Sequence, residues 1–413
     1  MSTSRYGSDT DSHYRTIDEF SLGDLEAIRL LLRGGSVIDW HRLNFGQEGQ
    51  ARELIAAHEL QLSDPQDVQR IAMVRDEAIA FLRRHFDFPV PKPVASLDLP
   101  GLIMLAGGAG HRQLCACAIL KVMHIIHHLE GRELLFMLPF SDQELFYLVE
   151  EKVYRVVGGM LAHNFPILEF IGGRKNKDSL YQKLLSKPET IAANIYDKLR
   201  FRIVTREPDD VFPTLNYMLR HIFPLNYVIP GQSTNTLFHF RSYCDKHPHL
   251  AELYGKLQTK PDVEDSLTRM ENRFSATNYS VVHFVVDMPL RVPPEMLKRA
   301  PPQAAHLGPV IFVLTEFQIL DRHTEQRNEL GDASHAAYKE RQKRAVALRL
   351  KVGTNTDSHA HMSSGKKPTS STGGSTSGSS STDASSASGS TDAIGTSGGN
   401  GSTESGNGSG EVP

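Results

Sequence analysis

The chain has 413 residues, 39% of them hydrophobic and 23% charged, with a formal net charge of −3. That length accommodates two domains and a tail, and the near-neutral balance excludes a protein dedicated to coating nucleic acid. No run of about 18 apolar residues stands out, and residues 1–19 are polar without an apolar signal core, so a cytoplasmic protein with no membrane partner is expected. The three cysteines, Cys115, Cys117 and Cys244, form neither a metal spacing nor a disulfide framework, which suits a reducing compartment.

Residues 1–18 read as a disordered leader and residues 19–150 as a helical domain. Leu25, Ile28, Leu31 and Leu32 recur at helical spacing behind Ser21 and Asp24, either of which can cap. Further helical patterns cover residues 50–61, 65–86 and 110–129, separated by Gly34-Gly35 and the proline-rich stretch 89–100. Residues 34–43, around the single tryptophan Trp40, are either a docking loop or a turn before a packed helix start. His124 and His128 stand one helical turn apart, a spacing that can hold a metal. Together with His111 and His127 they are expected to be structural or surface residues, and Cys115 and Cys117 to be small apolar residues of a helix.

From residue 151 to 351 strands and helices alternate. Gly172-Gly173-Arg174-Lys175 places a glycine pair and basic residues ahead of a helix starting near Asp178 and carrying Ser179 and Lys183. Ammonium groups beside a helix N-terminus together neutralise several phosphate charges. Leu199, Phe201 and Ile203 alternate with Arg200, Arg202 and Val204, a strand with one apolar face and Asp197 leading into it. Residues 209–219 follow as a helix and 224–231 as a strand ending in the Pro230-Gly231 turn. After the neutral loop 232–237 comes a charged helical insertion, 238–272, with Tyr243, His247 and His249, which is a lid, an accessory contact or a surface elaboration. Asn278 and Tyr279 form a turn before a β-branched strand holding His283. Val310 to Leu314 open another strand, beyond which Glu316 and Gln318, two apart, leave the same face. Glu325, Glu329 and His335 precede a basic helix, 338–351. Residues 352–413 are mostly Ser, Gly and Thr, too poor in apolar residues to fold.

Four of these segments, in this order, resemble the RelA/SpoT family of guanosine alarmone synthetases. They are the basic turn before Ser179 and Lys183, the Asp197-to-Arg202 interval, Asn278-Tyr279 through His283, and Glu316-x-Gln318-Ile followed by Glu329-x-Gly-x-Ala-x-His-x-x-Tyr-Lys-Glu340. The resemblance spans about residues 170 to 340. It implies an α+β, nucleotidyltransferase-like mixed sheet of about five strands flanked by helices. It also implies Mg²⁺-dependent transfer of pyrophosphate from ATP to the 3′-hydroxyl of GDP or GTP. On it, Arg174, Lys175, Ser179, Lys183 and Arg202 would bind ATP. Asn278, Tyr279 and His283 would bind the acceptor, Tyr279 by stacking on guanine. Asp197 and Glu316 would hold the metal, with Gln318 beside them in the catalytic group. The family's metal-dependent hydrolase carries a His-Asp pair; no His-Asp dipeptide occurs here, so that domain is expected to be missing. Three departures bear on function: Gly173 stands where the family has an adenine-stacking arginine, the loop after Gly231 has no cation, and Leu320 replaces an arginine. They leave open a nucleotide-binding sensor without turnover, or another acceptor such as an adenine nucleotide or an RNA 3′ end. An oligomer is compatible with the sequence.

Overall fold

The computed structural model describes residues 14–34, 40, 45–187, 198–257 and 274–351. These belong to one unit, residues 1–354; the second, 355–413, lies outside the described residues. So do Asp197, most of the stretch around Trp40, the later half of the insertion and the tail from residue 352.

Local chemistry sets the helices. Ser21 caps α1 (Leu22–Arg33): its hydroxyl accepts from the Asp24 N–H, and the Asp24 carboxylate accepts from the Ser21 N–H. The helix closes at Gly34, whose φ of 62° suits glycine. Next come α2 (Glu48–Ala57), which starts and ends earlier than 50–61, and α3 (Pro65–Phe86), which fills its predicted span behind the capping Asp64. The proline-rich stretch holds the short α4 (Lys92–Ala95) and α5 (Leu99–Ala106). They lead into α6 (His111–Met137), longer than the pattern indicated, and α7 (Asp142–Ala162). The leader expected to run to Asp18 is already packed at its end: Tyr14 donates its hydroxyl to Asp210, and Ile17 is buried.

Among the described residues five strands form one sheet: β1 (Ile167–Arg174), β2 (Leu199–Thr205), β3 (Thr234–Asn235), β4 (Val282–Arg291) and β5 (Val310–Asp321). Their order is β1-β2-β5-β4-β3; β2 and β5 are parallel and the other pairs antiparallel. The fold is therefore α+β with a mixed sheet flanked by helices. The remaining helices are α8 (Lys177–Ser186), α9 (Val211–His221), α10 (Phe240–Cys244), α11 (Pro248–Lys256), α12 (Pro294–Leu297), α13 (Arg322–Asn328) and α14 (His335–Lys351). Residues 224–231 are not a strand; they make a 3-10 turn, Leu225–Tyr227, and one bridge from Val228 to Val286. Pro224 supplies the extended residue before that turn, and Gly231 closes the segment with φ 72°.

Strand alternation gives the sheet two unlike faces. On one, Phe201 and Phe284 stack on Phe317 with centroids 5.6 and 5.7 Å away, and Phe170 stacks on Phe201 at 5.6 Å. Such pairs add about 0.5–1.5 kcal/mol each beyond their buried area. The other face is shared. α6 covers the start of β5, where Gly131 lies on Phe312 so closely that a Cβ would stand 2.8 Å from the Val310 carbonyl oxygen. The far half of β5 on this face carries polar side chains.

By length and composition α6 could cross a membrane, which corrects the expectation that no such stretch exists. In this fold its Cys115, Ile119, Leu120 and Leu134 are buried. One apolar cluster runs from Ile17 and Leu25 through α7 to the sheet, and a second lies among the helices around Ile55, Val74, Ile103 and Ile119. The 150/151 division falls inside α7. Buried ion pairs bind the early helices to the sheet: Lys152 meets Glu59 at 2.6 Å and the Pro289 carbonyl at 2.8 Å, and Arg291 meets Asp67 at 2.7 Å.

Candidate functional site

Register assembles the site. Glu316 of β5 lies opposite Arg200 of β2 and Val285 of β4; Gln318 lies opposite Arg202 and His283, and His283 opposite Thr234 of β3. Cross-strand partners leave the same face, so two arginines, a carboxylate, an amide and an imidazole share one surface. Glu316 is in the middle of β5 and only 5% exposed, whereas the sequence suggested a strand end. Gln318 Nε2 donates to Glu316 Oε1 at 2.7 Å, and His283 Nε2 stands 3.3 Å from the same oxygen. Gln318 Oε1 is buried without a hydrogen-bond partner, a state that costs about 1–3 kcal/mol until a donor arrives.

Arg202 is already engaged, 3.5 Å from Glu325 and 4.0 Å from Glu329. Burial, then the nearby Glu169 carboxylate, raises the Glu325 carboxyl above its usual range, against the pull of Arg202. His335, at the start of α14, is pushed below the ordinary imidazole value by burial and then by Lys339, Arg200 and Arg202.

The basic segment splits between two places. Lys175 extends the β1–β2 ladder, its N–H donating to the Lys198 carbonyl. Asn176 caps α8 by accepting from the Ser179 N–H at 2.8 Å, and Lys339 donates to the Ser179 hydroxyl at 3.5 Å. Ser179 is thereby tied to α14, and Lys183 is half-buried one turn further along α8. Arg174 departs from expectation. It pairs across the ladder with Leu199, whose parity is that of the phenylalanine face, and its guanidinium grips Glu150 of α7 with bonds of 2.8 and 2.6 Å. A shift of one residue reverses the face, so Arg174 cannot stand in for an arginine at Gly173.

Tyr279 is half-buried in the turn before β4, its carbonyl accepting from Thr236 Oγ1 at 3.2 Å. Asn278 beside it is exposed. It is not among the positive-φ residues, so its backbone is not left-handed. The neutral segment after Gly231 becomes the edge strand β3, with Asn235 Oδ1 accepting from the Phe238 N–H. Leu320 is fully buried.

Asp197 lies outside the described residues, so its pairing with Glu316 has no described geometry. Among the described residues no three His, Cys, Asp or Glu side chains converge as a metal set. Glu316 is still a hard oxygen donor, and Mg²⁺ commonly takes one or two carboxylates and fills its shell with phosphate oxygens and water. The donor chemistry therefore fits that ion. The α6 histidines serve a different purpose: Asn226 Nδ2 bridges His58 Nε2 and His124 Nδ1 at 2.9 Å each, and His128 meets Asp287 at 2.8 Å. Burial lowers His58 to about 4 and His124 and His127 to about 3. Arg200 was missed as a site residue, although its parity with Arg202 on an alternating strand was visible in the sequence.

No protein-family model matches the chain, and no curated protein matches it. Solved structures do. Small alarmone synthetase 1 from Bacillus subtilis, bound to its product pppGpp, aligns at TM-score 0.29 and 14% identity over 53% of this chain and 92% of its own. Small alarmone synthetase 2 from Bacillus subtilis aligns at TM-score 0.26 and 14% identity, over 51% and 95%. A GTP pyrophosphokinase family protein from Streptococcus pneumoniae aligns at TM-score 0.25 and 12% identity, over 52% and 89%. At such similarity no activity passes from them to this chain.

Proposed function

We propose that the polar face of the sheet transfers pyrophosphate from ATP to the 3′-hydroxyl of a guanine nucleotide. The carrying observation is the buried carboxylate of Glu316, fixed by Gln318 at 2.7 Å and flanked by His283 at 3.3 Å, on a surface that also carries Arg200 and Arg202. In the reaction the acceptor oxygen attacks the β-phosphorus, the bond from that phosphorus to the α–β bridging oxygen breaks, and AMP leaves. Glu316 takes the hydroxyl proton as it is released. Gln318 keeps the carboxylate in one orientation, and its unmatched carbonyl oxygen accepts from a substrate donor. His283, Arg202 and the cations around α8 offset phosphate charge; positioning and electrostatics do most of the work in such transfers. Glu316, with Asp197 from the sequence, would hold Mg²⁺, which when bound neutralises charge on the transferred group.

Incubation of purified protein with labelled ATP and GDP or GTP, with and without Mg²⁺, should yield a pyrophosphorylated nucleotide only with the metal. Absence of product under every condition would overturn the reading. A second reading, a nucleotide sensor without turnover, draws on Arg202 being occupied by Glu325 and Glu329. Calorimetric binding of a guanine nucleotide by protein that forms no product would favour it.

A further inference from the structure

A cavity of about 90 Å³ lies among α1, α2, α9 and the turn Leu225–Tyr227, and none of its lining residues takes part in the proposed transfer. A water needs only about 10–15 Å³, so the space takes a molecule of several heavy atoms. Ala27, Leu54 and Leu219 give it apolar walls. Its charged groups are matched in pairs: Arg220 donates to Glu53 at 2.8 Å, and Arg15 stands 3.8 Å from Asp24. An ionic ligand would have to break one of those pairs, whereas an uncharged one leaves both intact.

Two amide atoms among the lining residues are unmatched. Asn226 Nδ2 donates to His58 Nε2 and His124 Nδ1 at 2.9 Å each, and burial keeps both rings neutral. His58 Nδ1 is 2.7 Å from the Leu54 carbonyl and so carries the ring hydrogen, which leaves Nε2 to accept. The amide is thereby fixed in one orientation, with Oδ1 turned away from both rings. Asn226 is 8% exposed and Asn216, on α9, is 4% exposed; Asn226 Oδ1 and Asn216 Nδ2 are buried without hydrogen-bond partners. One is an acceptor and the other a donor, and leaving either unmatched inside the protein is costly. We propose that this cavity binds a small uncharged molecule carrying one N–H donor and one carbonyl acceptor, a lactam ring or a primary amide, through Asn226 Oδ1 and Asn216 Nδ2.

Saturation-transfer NMR on the full chain tests it with 2-pyridone, which has both groups, and 1-methyl-2-pyridone, which keeps the ring and carbonyl but has no N–H. Wild-type protein should bind 2-pyridone roughly three- to tenfold more tightly than the methylated ring, the scale of one hydrogen bond. Asn216→Leu should weaken 2-pyridone by a similar factor, and Asn216→Asp, equal in size without the amide donor, should do the same. Asn226→Leu is avoided because it also takes the donor from His58 and His124. Should either Asn216 variant lose its fold by circular dichroism, the two probes on wild-type protein still decide. Equal affinity for both probes would reduce the cavity to an unselective apolar space and overturn the proposal. Wild-type protein that binds neither probe, or a folded Asn216→Leu protein with unchanged 2-pyridone affinity, overturns it as well. So does displacement of 2-pyridone by ATP with Mg²⁺, which would put the probe on the transfer face.

Discussion

A carboxylate that is 5% exposed, held by an amide and beside an imidazole is poised by its neighbours. Changing Glu316 to glutamine keeps its size and its place in β5 but removes the proton acceptor. Product formation should fall by roughly a hundredfold or more, while melting temperature stays near wild type. Single-turnover kinetics beside circular dichroism checks this. A folded Glu316→Gln protein with near-normal turnover would remove Glu316 from the chemistry.

At the scale of elements, α6 and β5 meet through Gly131, whose missing side chain lets the helix lie on Phe312 and the Val310 backbone. Gly131→Ala should lower stability by about 1–3 kcal/mol through overpacking, even though alanine is the better helix former. Chemical denaturation midpoints read it directly. This scale also shows what could be read from the chain beforehand. The pairing of Glu316 with Gln318 on one face was legible because strands repeat every two residues. So were the α1 cap and the whole of α3, which local chemistry decides. The central place of β5 was not, because neighbours in a sheet are chosen by contacts between distant segments. The two-residue β3 was hidden for a related reason: so short a strand exists only because β4 offers it an edge. Arg174, expected among the ATP-binding residues, leaves the opposite face because it stands one position beyond Gly173. The burial of Glu316 and the engagement of Arg202 by Glu325 needed the folded packing.

At the scale of the molecule, buried charge and buried imidazole join the early helices to the sheet. Lys152, 5% exposed, meets Glu59, which is also buried. Removing only the lysine, as in Lys152→Met, should destabilise by about 3–5 kcal/mol because Glu59 is left unpaired. Adding Glu59→Gln should recover part of that loss in thermal melts. The histidines set the response to acid. His58, lowered to about 4, and His124 and His127, lowered to about 3, stay neutral in the fold, whereas in the unfolded chain they bind protons near the ordinary value of 6.5. The unfolded state therefore takes up more protons between pH 6.5 and about 3–4, and stability falls as pH drops through that window. Each such group contributes a slope of up to about 1.4 kcal/mol per pH unit. His127→Leu, which also removes an unpaired buried nitrogen, should flatten the dependence of melting temperature on pH between 7 and 5.

The position of β5 in the chain decides when the site can exist. Among the described residues it is the last strand to be synthesised, yet it separates β2 from β4 and carries Glu316 and Gln318. Until it arrives, β1 can pair only with β2 and β3 only with β4, each pair keeping an open edge that invites association with other chains. Its parallel match to β2 also closes a long loop of chain, the kind of non-local contact that slows folding. A nascent or truncated chain ending before Val310 thus has two separate ladders and no carboxylate between them. On the proposed function, activity would be withheld until synthesis has passed the central strand, and partial products of translation would be the species most exposed to aggregation.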